Sequence, residues 1–220
     1  MFVLRKENVF EKLKWLSKKI GEEMTDLSAI KIMRKTGGET FIGFDCTKQL
    51  TLKDFWQWSV SDLVSNATRG ILAEYLVAVA LGLNEGVRKE WDAYDLETES
   101  GVKIEVKSAA YIQSWFQRKL SPITFRIPQT LGWDYKTNLL AKEKKRQADI
   151  YVFCLLHHED KKTINPMDMS QWTFYVISKK ELEKVHPERK SVSLGELKKL
   201  SPKESDFGSL KETINSVAAE

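Results

Sequence analysis

The 220-residue chain is poor in the residues that staple small proteins or bind metals through soft ligands. It has two cysteines, Cys46 and Cys154, far apart in sequence, and three histidines. That excludes a CxxC redox motif, a Cys/His zinc cluster and a secreted disulfide scaffold. No apolar run approaches the roughly 18 residues of a membrane span. The first residues, MFVLRKENVFEKLKW, meet charge at Arg5 and offer neither an apolar h-region nor a small-residue cleavage site. A reducing, cytoplasmic setting without membrane contact is expected. The sequence contains no P-loop, no GxGxxG and no Ser/His/Asp arrangement, so neither nucleotide hydrolysis nor dinucleotide chemistry is indicated. Eleven glycines and five prolines are scattered without forming a linker or repeat. What is present is ordinary for a globular domain: 42% hydrophobic and 30% charged residues, enough to build a core without staples.

The net charge of +4 is unevenly placed. Between Gly101 and Ala148 stand ten Lys and Arg against three acids, so that segment carries +7 and leaves −3 on the rest. Tyr111, Trp115, Phe116, Phe125, Trp133 and Tyr135 are interleaved with these cations. Such a pattern suits a polyanion-binding surface, and it also suits a solvated lysine-rich face around core aromatics.

Helical spacing of Val9, Phe10, Leu13, Leu16 and Ile20 predicts a helix over Glu7 to Ile20. A turn at Gly37-Gly38 and a short strand near Thr40 to Phe44 follow. Thr51 and Asp54 form a capping-box pattern before a helix over Leu52 to Val64, whose Phe55, Trp56 and Trp58 are expected to pack into a core. The run Arg69 to Leu81, rich in Ala and Leu and ended by Gly82, reads as a buried helix. Three strands are expected next, over Val87 to Trp91, Ala93 to Thr98 and Val102 to Ser108, with a tight turn at Glu99-Ser100-Gly101. An irregular basic segment then leads to Ala148 to Leu156, apolar enough for a central, doubly covered strand. Trp172 to Ile177 is another strand, and Lys179 to Val185, Leu194 to Leu200 and Ser209 to Val217 read as short amphipathic helices. The order implies an α/β layered fold with a mixed sheet flanked by helices.

Chemistry is best sought on the strand over Val102 to Ser108. Val102, Ile104 and Val106 face one way, and Lys103, Glu105 and Lys107 the other. An acid-x-Lys triplet alone is cheap, since 31 acids and 27 lysines produce roughly four by chance. Its context adds weight, because a hairpin turning near Ser100 sets Asp95 opposite or diagonal to Glu105. Two carboxylates and a backbone carbonyl, here that of Val106, are what Mg²⁺ accepts, with water and a phosphate oxygen completing the shell. Lys107 on the same face can polarise an attacking water and stabilise phosphate charge. Glu74 is a single acid in an apolar helix. It either pairs with Arg69 or lies at the helix rim, or it points at the same metal. His157-His158-Glu159-Asp160 reads as a solvated loop, since adjacent side chains on an extended chain diverge.

Glu74 on an early helix, Asp95 at a strand bend and Glu105-Val106-Lys107 on the next strand resemble the PD-(D/E)XK nuclease superfamily, the restriction-endonuclease-like fold. The resemblance covers about Ser65 to Leu156, with Tyr94 where the family usually has proline. The run from Glu105 to Trp115 is similar to that of bacterial restriction-type and DNA-processing members. It implies Asp95 and Glu105 as ligands of Mg²⁺ (or Mn²⁺), Lys107 at the attacking water, Glu74 as the helical acid and Gln113 as an assisting polar residue. It also implies a DNA endonuclease that breaks the P–O3′ bond, with DNA a better substrate than RNA. Residues 1–60 are then an N-terminal helical and irregular appendage, 61–178 the nuclease core, and 179–220 C-terminal helices packed on it. Arg118, Lys119, Lys136, Lys142, Lys144, Lys145 and Arg146 are the expected phosphate contacts. A homodimer and a methyltransferase or helicase partner are compatible with this reading. Two competing readings are a catalytically silent nucleic-acid-binding module on the same fold and a structural adaptor docking through Phe55 to Trp58.

Overall fold

The computed structural model describes residues 27–43, 49–134, 137–185 and 187–220. The helix expected over Glu7 to Ile20, and Lys136, lie outside these. The chain divides into two compact units, Met1–Lys31 and Ile32–Glu220. In the first, residues 27–31 are exposed and carry no helix or strand.

The centre of the second unit is a five-stranded mixed sheet. In chain order the strands are β1 (Leu96–Glu97), β2 (Lys103–Ala110), β6 (Ile150–Leu156), β7 (Trp172–Ser178) and β9 (Lys203–Ser205), and they lie side by side in that same order. β2 and β6 are parallel, with Glu105 beside Tyr151, and every other pair is antiparallel. β6 is buried at all seven positions, as a strand covered on both faces must be. One face packs Ile104, Val106, Val152 and Phe174 against two helices, α2 (Asn66–Leu81) and α5 (Leu210–Ala218). The other face packs Ala109, Phe153 and Ile177 under a two-stranded ribbon of β3 (Thr124–Arg126) and β8 (Ser191–Ser193), with α3 (Lys179–Val185) and α4 (Leu194–Lys199) beside it.

α2 forms where the sequence predicts. Ser65 caps its first turn by accepting from the Thr68 N–H, and Gly82 ends it in the left-handed region, φ 74°, returning its N–H to the Ala78 and Val79 carbonyls. Only one face is buried, through Arg69, Ala73, Leu76, Val77 and Ala78, while Ile71 and Tyr75 are exposed.

Several expectations are corrected. Val87 to Trp91 is not a strand, and the strand expected over Ala93 to Thr98 shrinks to β1. The reason is tertiary: Arg88 reaches back to Glu74, and Trp91 sets its edge against Trp133, which takes the segment out of the sheet. The basic stretch is not irregular, since it contains β3 and a ribbon of β4 (Thr130–Asp134) and β5 (Leu139–Lys145). Thr40 makes only an isolated bridge to Thr51. The capping box at Thr51 and Asp54 is present, but its helix, α1, stops at Val60 and buries nothing. Phe55, Trp56 and Trp58 are exposed there, Trp58 by 85%. Trp56 lies over Gly37, where a Cβ would meet its ring at 2.9 Å. Among the described residues no helix is long and apolar enough to cross a membrane.

Candidate active site

A cleft of about 820 Å³ opens just before β1 begins, beside the edge of β2, and it is lined by α2, β2 and the root of the β4–β5 ribbon. The local rules of strand and helix deliver its charged groups. On β2, Ile104 and Val106 point into the core under α2, so Glu105 and Lys107 take the opposite face. Their side chains form an ion pair, Lys107 Nζ to Glu105 Oε1 at 2.5 Å. Asp95 immediately precedes β1. Its N–H donates to the Ile104 carbonyl at 3.0 Å, and its Oδ2 accepts the Val106 N–H at 2.7 Å. The carboxylate therefore takes over edge pairing where the backbone of β1 stops. The N–H and C=O of one strand residue point to the same side, so the Val106 carbonyl lies at this edge too.

Asp95 is largely removed from water. Burial pushes its pKa up to about 7, and the charges of Glu105 and Glu74 act in the same direction. Lys107 and the Val106 N–H pull against this shift. Glu74 looks into the same cleft from α2. It pairs not with Arg69 but with Arg88, whose Nε and Nη2 both engage its carboxylate, the latter at 2.9 Å. This fork fixes the orientation of Glu74 from outside the cleft.

Gln113 also lines the cleft, and it is buried. Its Nε2 donates to the Ala110 carbonyl at 3.0 Å and to Ser121 Oγ at 3.3 Å, which ties the loop after β2 to its own strand. Glu74, Asp95, Glu105, Lys107 and Gln113 are thus brought together, from positions spread over forty residues of chain. Among the described residues no three His, Cys, Asp or Glu side chains form a ready-made metal cluster. His157 and His158 instead bond Thr173 and Thr163. Asp95, Glu105 and the Val106 carbonyl are the hard oxygen donors of this cleft that could hold Mg²⁺.

The family model for bacteriophage T4 endonuclease IV matches residues 6–196. The chain belongs to that family. No curated protein matches it. Membership places it among the DNA endonucleases.

Of the cations expected on this endonuclease's binding surface, Arg118 and Lys119 are exposed in the loop after β2. Lys142, Lys144 and Lys145 are exposed on β5. Lys144 and Lys145 pair across the ribbon with Leu131 and Thr130, which themselves line the cleft. Arg146 is a correction. Its side chain is fully buried, donates to the carbonyls of Ile127, Pro187 and Arg189, and sits 3.5 Å from Glu183. It joins β6 to the β3–β8 layer and has no face left for a phosphate. Sequence reasoning passed over Arg88, Asn66 and Trp91, and it held Arg126 and Trp133 only as members of the basic segment. Except for Arg88, which pairs with Glu74 and lines a neighbouring pocket beside Tyr94 and Asp95, all of these line the cleft. None stands in a motif, because folding alone brings them there.

Proposed function

We propose that this endonuclease cleaves DNA by Mg²⁺-dependent hydrolysis at a centre of the PD-(D/E)XK type. Asp95, Glu105 and the Val106 carbonyl hold the cation, Lys107 and Glu74 serve the water, and Gln113 supports the site. The observation that carries this reading is the convergence of three carboxylates and one ammonium in a single cleft. Burial raises the pKa of Asp95 most and the charges of Glu105 and Glu74 add to it, so a divalent cation would be favoured there.

A bound Mg²⁺ supplies charge neutralisation on the phosphate and a more acidic water. The protein's own groups do the rest. Asp95 is held by the Val106 N–H, so its free oxygen is fixed relative to β2. Glu105 and Lys107 share a strand face, and Lys107 Nζ donates hydrogen bonds to the attacking water or to a non-bridging phosphate oxygen as negative charge grows there. Glu74, oriented by Arg88, accepts a hydrogen bond from that water. The water oxygen bonds to phosphorus, the P–O3′ bond breaks, and the O3′ oxygen takes up a proton, leaving a 5′-phosphate and a 3′-hydroxyl. Lys144 and Lys145, across the ribbon from the cleft-lining Leu131 and Thr130, and the other exposed cations of β5 and the loop after β2 engage neighbouring phosphates through charge, without reading bases.

The test is cleavage of a labelled DNA after exhaustive chelation and again after adding Mg²⁺, with calorimetric titration of Mg²⁺ into wild type and Glu105→Gln. Cleavage is expected only with the cation, and the titration heat is expected to vanish in the variant. Undiminished cleavage in EDTA would remove the metal from this account.

A further inference from the structure

The cleft has a second cationic end that the chemistry above leaves unused. Arg69, in the first turns of α2, is 3% exposed and lines the cleft. Its Nη1 donates to the Val64 carbonyl at 2.8 Å and reaches Gln113 Oε1 at 3.5 Å, and its Nη2 donates to Asn66 Oδ1 at 2.7 Å. All three acceptors are neutral. Among the described residues its Nε–H meets no acceptor, and no carboxylate pairs with it. Burial alone pulls its pKa down to about 10. Proteins seldom bury a charge without a counter-charge or a bound ion.

Two further features mark the same place. Arg69 stands at the N-terminal end of a sixteen-residue helix, where the helix dipole adds positive potential. Beside it, Gly70 also lines the cleft, and a Cβ built there would meet nothing within 4 Å. Packing does not require the glycine, and a glycine inside a helix is unfavourable. Its effect is to leave the cleft wall bare next to the guanidinium. Arg69 is five residues from Glu74, about 7.5 Å along the helix axis. Any anion held there lies close to the reacting phosphate but is distinct from it.

We propose that Arg69, with Asn66 and the bare wall at Gly70, forms a site for a second phosphate of the DNA strand, adjacent to the scissile one. Arg69 supplies the counter-charge. Asn66, whose Oδ1 is occupied by Arg69, turns its Nδ2 amide to donate. The site makes Arg69 a positioning residue: it fixes where along the strand the bond at Lys107 is cut. The proposal rests on reading the cleft as the cleavage centre.

The experiment uses the full chain without divalent cations. Thermal unfolding is followed while inorganic phosphate replaces chloride at constant ionic strength. Wild type is expected to gain stability saturably, as a ligand of the native state requires. Arg69→Lys, which lacks the fork, and Gly70→Asp, which sets a negative charge in open space, are expected to lose that gain. Should Arg69→Lys fail to fold, Gly70→Asp and wild type suffice. In a Glu105→Gln background, Arg69→Gln is expected to weaken binding of a short oligodeoxynucleotide roughly ten- to hundredfold. Equal weakening with and without a 5′-phosphate identifies an internal diester, and weakening only of the phosphorylated strand identifies a terminal phosphate. No phosphate-specific gain in wild type, or an equal gain in Gly70→Asp, overturns the site. If Glu105→Gln cuts DNA normally, the reading of the cleft fails while the phosphate titration still stands on its own.

Discussion

At the scale of single residues, Asp95 carries the clearest conflict between stability and chemistry. Its folded pKa is raised above the ordinary carboxyl value, chiefly by burial. Between about pH 4, where the unfolded chain loses this proton, and about pH 7, where the folded one does, the native state holds the extra proton. The stabilisation is therefore full at low pH and is lost as pH rises through 7. Asp95→Asn keeps an acceptor for the Val106 N–H and removes the charge. It should melt higher than wild type at pH 8 without metal, gain less at pH 5, and cut no DNA, as differential scanning calorimetry and a cleavage assay would read. A lower melting point at pH 8 would show that the charge is already compensated in the fold. Lys107 behaves differently, because it is one cation among many near the cleft. Lys107→Ala should abolish cleavage and leave affinity within a few-fold, and Lys107→Arg should not restore activity. Normal turnover by the alanine variant would mean that the water is positioned by another group.

At the scale of elements, α2 and the β4–β5 ribbon divide the work. α2 carries Arg69, Gly70 and Glu74 on its cleft side while Ala73, Leu76 and Val77 anchor it to the sheet. Its end depends on Gly82 at φ 74°, so Gly82→Ala should cost about 1 kcal/mol in denaturant unfolding. A neutral outcome would show that the cap relaxes. The ribbon presents exposed lysines one strand behind the cleft wall. Neutralising Lys142, Lys144 and Lys145 together should flatten the dependence of log K on log salt by up to about three units. An unchanged slope would place the DNA path elsewhere. Arg146 does not belong in that set. Arg146→Ala should instead destabilise the fold by several kcal/mol, because three carbonyls and Glu183 lose a buried partner.

At the scale of the molecule, both halves of the core are built from residues between Leu72 and Val217. Every described residue lining the cleft lies between Asn66 and Tyr151. A chain lacking residues 1–31 should therefore melt within a few degrees of the full chain and retain cleavage. Loss of the cooperative transition would reveal a structural debt to the removed segment.

α2, β2, β6 and β7 were legible because each is specified by its own residues. An Ala/Leu run closed by glycine, a two-residue alternation and seven consecutive apolar side chains admit few other conformations. The spacing of Glu74, Asp95, Glu105 and Lys107 was legible for the same reason, since it rides on those elements. The short and polar elements were not. β1 shrinks because the Asp95 carboxylate, not the backbone, meets the next edge amide. The ribbon strand β5 has no buried face to write a pattern into the sequence. Arg146 reads as a surface cation at the end of a lysine run and becomes the buried tie between two layers, while Glu74 finds Arg88 rather than the nearer Arg69. Partner choice across long sequence separations depends on which backbones the core brings within hydrogen-bond reach. Local sequence therefore determined the scaffold and the acids and lysine it carries, and tertiary packing decided which charges face the cleft, which are neutralised and which remain to meet a phosphate.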